Sequence, residues 1–376
     1  MAVSAIPRRT PATVITGFLG SGKTTLIRNI IMQASGKRLA LIVNEFGDVG
    51  MDGAMLAECD TEGCSVDDII ELANGCICCT VADDFLPSLQ TLLAQNPPPD
   101  HIIIETSGLA LPQPLVQAFG WPDIRAQVML DGVVTLVDGP ALAGGGIAHD
   151  LEALERQRAA DEELDHESPI DELFEDQISA ANLIILSKAD MLDEAGLHRA
   201  RAAVEAHLHD NTPIISVAGG KAPLSAVLGL DMEEEAHHRA KHHRHHHHHD
   251  GEDHDDDHHR EHEHGHDEFA SHIIALDEVE DAGAFQAQIK AMASSHGILR
   301  AKGRVPVLGK ALPFVVQAVG QRVDGYFAPN PGAVGNEGKV GRLVVIGLAG
   351  LDADAIAAQL GGSVIMDSGS DAPPQN

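Results

Sequence analysis

The stretch Gly17-Phe18-Leu19-Gly20-Ser21-Gly22-Lys23-Thr24 restricts this chain more than any other. Glycine, four residues, glycine, lysine and threonine is the spacing of a phosphate-binding loop. The flanks agree with it. Ala12 to Thr16 is short, apolar and β-branched, which predicts a buried strand, and Thr25 to Ile31 predicts an amphipathic helix. Between the two, glycines let the backbone curl until successive N–H groups point at phosphate oxygens. The helix N-terminus adds a favourable dipole. Gly17, Gly20, Ser21, Gly22, Lys23, Thr24 and Thr25 are then the nucleotide-binding residues. Lys23 reaches the β- and γ-phosphates and Thr24 ligates Mg²⁺.

Further apolar runs at 39–43, 102–105, 133–138 and 183–186 read as strands, with a helix expected from Asp83 to Leu93. Alternating strands and helices predict an α/β fold, a three-layer sandwich with a mostly parallel sheet. Ligands of such folds bind at the carboxyl ends of the strands. Gly17, Glu45, Glu105 and Asp190 all fall there. Residues 44–55 carry three glycines and two aspartates with little periodicity and read as a loop, placed where nucleotide switches keep a mobile segment. Glu45 is its candidate catalytic residue.

Ser187-Lys188-Ala189-Asp190 follows a strand, where guanine-specific proteins carry Asn-Lys-x-Asp. A carboxylate at Asp190 accepts from both N1–H and N2–H₂ of guanine, a donor pair adenine lacks, and the Lys188 stem covers the base. Serine at 187 loses one side-chain amide. The expected nucleotide is therefore GTP. Glu105-Thr106-Ser107-Gly108 is similar to the Asp-x-x-Gly of a second nucleotide switch. Glu105 would hold Mg²⁺ through water and the Gly108 N–H would touch the γ-phosphate. Leu109 stands where fast hydrolysers carry a water-orienting glutamine, so slow intrinsic turnover is expected.

All five cysteines lie between Cys59 and Cys79, and three of them form Cys76-Ile77-Cys78-Cys79. Three thiols on four residues cannot close a four-ligand structural zinc site, so they leave an exchangeable position. Thiolates suit Zn²⁺, Co²⁺ or Cu(I), and a redox role is the other chemistry open to them. Cys59 and Cys64 have no motif.

Lys and Arg total 25 against 57 Asp and Glu, a net charge of −32, which disfavours nucleic acid and anionic membrane as partners. No apolar run reaches the ~20 residues of a membrane helix, and residues 1–10 have no apolar signal core, so a cytoplasmic location is expected. Asp150 to Asp176 holds 12 Asp or Glu against 2 Arg and is expected as a solvated helical insertion in a nucleotide domain spanning 1–232. Residues 233–268 form a His-rich linker, with 15 of the 23 histidines between His237 and His266. Its composition cannot bury a core, and neutral imidazoles can take divalent ions weakly at many points. A small α+β domain is expected at 269–365 and a loose tail at 366–376.

The phosphate loop, Cys76-Ile77-Cys78-Cys79 and Glu105-Thr106-Ser107-Gly108-Leu109-Ala110 together resemble the CobW family of P-loop GTPases. Asn74 to Phe85, Glu105 to Pro114 and Leu164 to Pro169 resemble the branch of that family tied to cobalamin biosynthesis, and the likeness covers nearly the whole chain. The resemblance implies a GTP-dependent chaperone that carries Co²⁺ on Cys76, Cys78 and Cys79 and supplies a cobaltochelatase. It carries over Gly17 to Thr24 as the nucleotide loop and Ser187 to Asp190 as base recognition. The alternatives are Zn²⁺ as cargo, or a nucleotide-regulated metal store or sensor. Cobalt is chosen by the resemblance alone.

Overall fold

The computed structural model describes residues 9–34, 36–44, 69–72, 85–160, 169–208, 210–230, 232, 267–328 and 340–365. Glu45, the five cysteines and the His-rich run at 237–266 lie outside the described residues. The chain divides into two units. Described residues up to Leu228, with Asp267 and Val319–Arg322, belong to the first and the rest to the second.

The first unit is built on seven strands: β1 (Thr10–Thr16), β2 (Leu39–Asn44), β3 (Ile69–Leu72), β4 (His101–Glu105), β5 (Val128–Asp138), β6 (Leu183–Ser187) and β7 (Ile214–Ser216). Their order is β3-β2-β4-β1-β5-β6-β7 and every pairing is parallel. The registers Ile15↔Glu105, Thr16↔Thr135 and Asn44↔Leu72 bring carboxyl ends level along one edge of the sheet. β1 is central, so the loop leaving it is flanked by the turns leaving β4 and β5.

Nine helices are described around this sheet: α1 (Lys23–Gln33), α2 (Leu86–Leu93), α3 (Gln113–Ala118), α4 (Pro122–Arg125), α5 (Gly139–Ala143), α6 (Leu151–Ala160), α7 (Ile170–Ser179), α8 (Glu194–Glu205) and α9 (Leu224–Leu228). Side chains alternate between the faces with a period of two. Val14, Ile102 and Ile104 pack with Leu89 and Leu92 of α2 on one side. Ile184 and Leu186 pack with Phe174 and Ile178 of α7 and Val204 of α8 on the other. Each such buried side chain contributes about 1.5–3 kcal/mol. This is the three-layer α/β sandwich expected from the sequence.

Two segments differ from expectation. β5 begins at Val128 rather than 133, because Asp131 interrupts the apolar run although it is buried and accepts from the Thr13 hydroxyl at 3.2 Å. The acidic segment is not a solvated insertion throughout. α7 buries Leu173, Phe174, Gln177 and Ile178, a helical stripe that the surrounding carboxylates conceal in composition.

The second unit has six strands: β8 (Phe269–Leu276), β9 (Ile298–Val305), β10 (Phe314–Val319), β11 (Arg322–Phe327), β12 (Gly341–Leu348) and β13 (Gly362–Val364), in the order β11-β10-β9-β12-β8-β13. β12 runs antiparallel to β8 and β9, and β13 to β8. α10 (Ala282–His296) and α11 (Ala353–Gln359) cover one face through Phe285, Ile289 and Ile356, against Ile274, Leu343 and Val345. Ile273, Val344 and Ile346 turn to the other face and meet Met232. Among the described residues no helix is long and apolar enough to cross a membrane.

Candidate functional site

The loop after β1 folds around its glycines. Gly17 has φ +136° and a Cβ there would overlap the Leu136 carbonyl oxygen, so only glycine fits. Gly22, at φ +96°, caps α1 without a side chain, so the first-turn N–H groups face outward with no carboxylate over them. The Lys23 ammonium reaches back across the loop and donates to the carbonyls of Gly17 at 2.6 Å and Phe18 at 3.2 Å. The Ser21 hydroxyl is buried with no partner among the described residues.

Glu105 ends β4 beside this loop. The Thr24 side chain hydrogen-bonds to it, which joins the two groups that would face a divalent ion. Burial pushes the Glu105 carboxyl above its ordinary value; the Lys23 charge and the Thr24 bond oppose this without cancelling it. Burial likewise pulls the Lys23 amine below its ordinary value, and Glu105 opposes that. A buried cation beside a half-buried carboxylate makes a site arranged for a charged ligand rather than for stability.

The turn after Glu105 lies directly on the phosphate loop. A Cβ at Gly108 would come within 2.8 Å of the Leu19 nitrogen. Thr106 donates its N–H to Ile15 at 3.0 Å and its hydroxyl to Thr16 at 2.9 Å, locking the turn to β1. Leu109 is buried with Phe18.

On the far side of the loop, Ser187 donates its hydroxyl to the Val137 carbonyl at 3.0 Å instead of crossing to the loop. Lys188, at φ +55°, is paired with Asp138 at 2.6 Å. Asp190 accepts from the Gly219 N–H at 3.2 Å. The segment after β7 was missed in the sequence, because Val217-Ala218-Gly219 carries no charge or motif. α1 holds it in place: Asn29 donates to Gly219 and Gln33 to Ala222, each at 3.0 Å. One helix therefore carries the phosphate loop at its start and grips the loop after β7 along its length. Asp138 has two tasks, since its other oxygen caps α5 at the Ala141 N–H. Asp138→Ala is expected to cost about 1–2 kcal/mol, chiefly from the lost cap, because Lys188 is part-exposed and its ion pair adds little. Denaturant unfolding measures this.

Residues 73–84, which contain Cys76, Cys78 and Cys79, connect the carboxyl end of β3 to α2, and Glu45 follows Asn44 at the end of β2. Both segments leave the sheet from the edge that carries the phosphate loop.

A central parallel strand feeding a phosphate loop, with an acid on one neighbouring strand and the Ser187 to Asp190 turn beyond the other, defines a P-loop GTPase. Residues 11–216 match the family described as CobW/HypB/UreG, nucleotide-binding domain, and residues 269–364 match the Cobalamin synthesis protein cobW C-terminal domain. The chain belongs to the CobW family. It is 49% identical over 357 residues to a Sinorhizobium protein named zinc chaperone CobW, covering 93% of this chain and 96% of that one. A Pseudomonas aeruginosa protein of the same name is 45% identical, with 93% and 90% covered. The Escherichia coli zinc chaperone YjiA is 33% identical over 59% of this chain and 63% of its own.

Proposed function

We propose that this GTPase is a metallochaperone: it holds a divalent ion at Cys76, Cys78 and Cys79 and releases it to an acceptor enzyme when GTP is hydrolysed. The observation that carries the reading is the likeness, along nine-tenths of both chains, to two relatives named zinc chaperone. The parts of the nucleotide site fit the same reading. Lys23 and the first-turn N–H groups of α1 hold the phosphates, and the unpartnered Ser21 hydroxyl has an acceptor to meet there. Thr24 and Glu105 would hold Mg²⁺, which would supply charge neutralisation for the phosphates. The Gly108 N–H meets the γ-phosphate, Glu45 lies in the first switch, and Asp190 reads guanine with Lys188 across its plane. Ser187 ties that turn to β5 through the Val137 carbonyl. A cytoplasmic location follows, where GTP and exchangeable metal occur together.

Zinc is the cargo favoured by the relatives' names. Cobalt, passed to a cobaltochelatase, is the second reading, favoured by the cobalamin-synthesis description of the C-terminal family. Thiolate sites generally take Zn²⁺ more tightly than Co²⁺, so affinity alone does not choose between them and availability does. The deciding experiment is competition for metal against buffers set at cellular free-ion levels, with Mg²⁺ and GTP present. Zinc loading at those levels is the expected result. Loading by cobalt alone would move the function to the cobalamin branch, and loading by neither would remove the chaperone reading.

A further inference from the structure

Gln177 lies in the buried stripe of α7 and is 1% exposed. An amide in that position is costly unless its hydrogens are used. Both are: Nε2 donates to the Gly108 carbonyl at 3.0 Å and to the Ala110 carbonyl at 3.1 Å. The two bonds straddle Leu109, which is itself buried with Phe18 and Phe174. The backbone carbonyl of Gln177 accepts from the Thr135 hydroxyl of β5 at 3.0 Å, a main-chain bond separate from the two that the side-chain amide makes. The turn after β4 cannot rotate its peptides without breaking both amide bonds and withdrawing Leu109 from the core.

We propose that Gln177 is the positioning residue of GTP hydrolysis in this chain. It fixes the peptide that joins Gly108 to Leu109, and through the Gly108 Cα the position at which the Gly108 N–H, in the preceding peptide, meets the γ-phosphate. The proposal rests on the reading of Gly108 as the γ-phosphate contact. The side chain must be an amide, because a carboxylate would set negative oxygen against two carbonyls and an apolar side chain would leave both carbonyls without a donor. Hydrolysis depends on such placement steeply, while GDP never reaches Gly108.

The test is single-turnover hydrolysis of Mg²⁺·GTP by the full chain, with the affinities for GDP and a non-hydrolysable GTP analogue measured in parallel. Gln177→Met keeps the volume and removes the donors. It is expected to slow hydrolysis about 10- to 100-fold and weaken the analogue while leaving GDP binding unchanged. Gln177→Glu should lose at least as much. Thr135→Val removes the other bond to the same residue and should leave hydrolysis unchanged. Wild-type hydrolysis in Gln177→Met, equal losses for GDP and analogue, or the same slowing in Thr135→Val would each overturn the proposal. Amide hydrogen exchange at Gly108 separates it from the reading beneath. If the analogue protects that N–H no more than GDP does, the γ-phosphate reading of Gly108 fails; if the analogue protects it selectively while Gln177→Met hydrolyses GTP at the wild-type rate, only the positioning role fails.

Discussion

Lys23→Met is expected to lower the rate of GTP hydrolysis by about 10³-fold or more, the range for removing a positive group from transferring phosphate oxygens. Single-turnover phosphate release measures it. Methionine keeps most of the volume, so α1, which buries Leu26, Ile27, Ile30 and Ile31 beside it, should stay folded. GTP affinity should fall by about 1.5–3 kcal/mol, as for a lost charged hydrogen bond. Hydrolysis within tenfold of wild type would show that another cation does this work.

The same variant has a pH signature whose sign follows from the two shifts. Glu105 has a raised folded pKa, so ionised Glu105 opposes folding, and that opposition grows as pH rises from the unfolded value through the folded one. Lys23 has a lowered folded pKa, so its ammonium opposes folding at every pH below that value. In Lys23→Met the ammonium cost is gone, but Glu105 loses its attraction and its carboxyl rises further. On acidification through the Glu105 range the variant sheds its remaining cost, while the wild type keeps a buried ammonium and loses the carboxylate beside it. Stability of the variant relative to the wild type should therefore improve as pH falls, read from denaturant unfolding at a series of pH values. A difference independent of pH would mean that the two groups are not coupled in the fold.

What could be read from the sequence divides along physical lines. Gly17 to Thr24 announces itself because backbone curvature and a single lysine leave almost no freedom of residue type, and Ile102 to Glu105 because a strand buried on both faces is nearly all apolar. The inward stripe of α7 stayed hidden because four of the helix's ten residues are carboxylates, and it appears only once the helix is wound. Gln177, Asn29 and Gln33 act through carbonyls that lie 67 to 190 residues away, and nothing in a linear pattern marks an amide for that work. β9 carries charged residues that no apolar run marks, yet Arg300 is 2% exposed and Lys302 donates to the Gly229 carbonyl at 3.1 Å.

The second large effect is expected in metal binding. Affinity at Cys76, Cys78 and Cys79 should be greater with Mg²⁺ and a GTP analogue than with GDP, by about 1–3 kcal/mol, or roughly 5- to 150-fold. The reason is the common sheet edge. The segment holding the cysteines starts at Leu72, which pairs in register with Asn44, and Asn44 immediately precedes Glu45. β4, with Glu105 at its end, is the next strand along. A γ-phosphate, with the Mg²⁺ that Thr24 and Glu105 would hold, would order segments leaving that edge through contacts GDP cannot make. By linkage, metal must then strengthen GTP by the same factor, so the two affinities measured in both orders check each other. Thiol ligands must lose protons, so metal affinity should also fall as pH drops. The measurement is a Co²⁺ titration of GDP-loaded and analogue-loaded protein, following the thiolate-to-cobalt absorption band. Deleting residues 237–266 should reduce how much metal is bound and leave this tight site intact. Equal affinity in the two nucleotide states, or tight binding that survives Cys78→Ala with Cys79→Ala, would show that hydrolysis does not drive release.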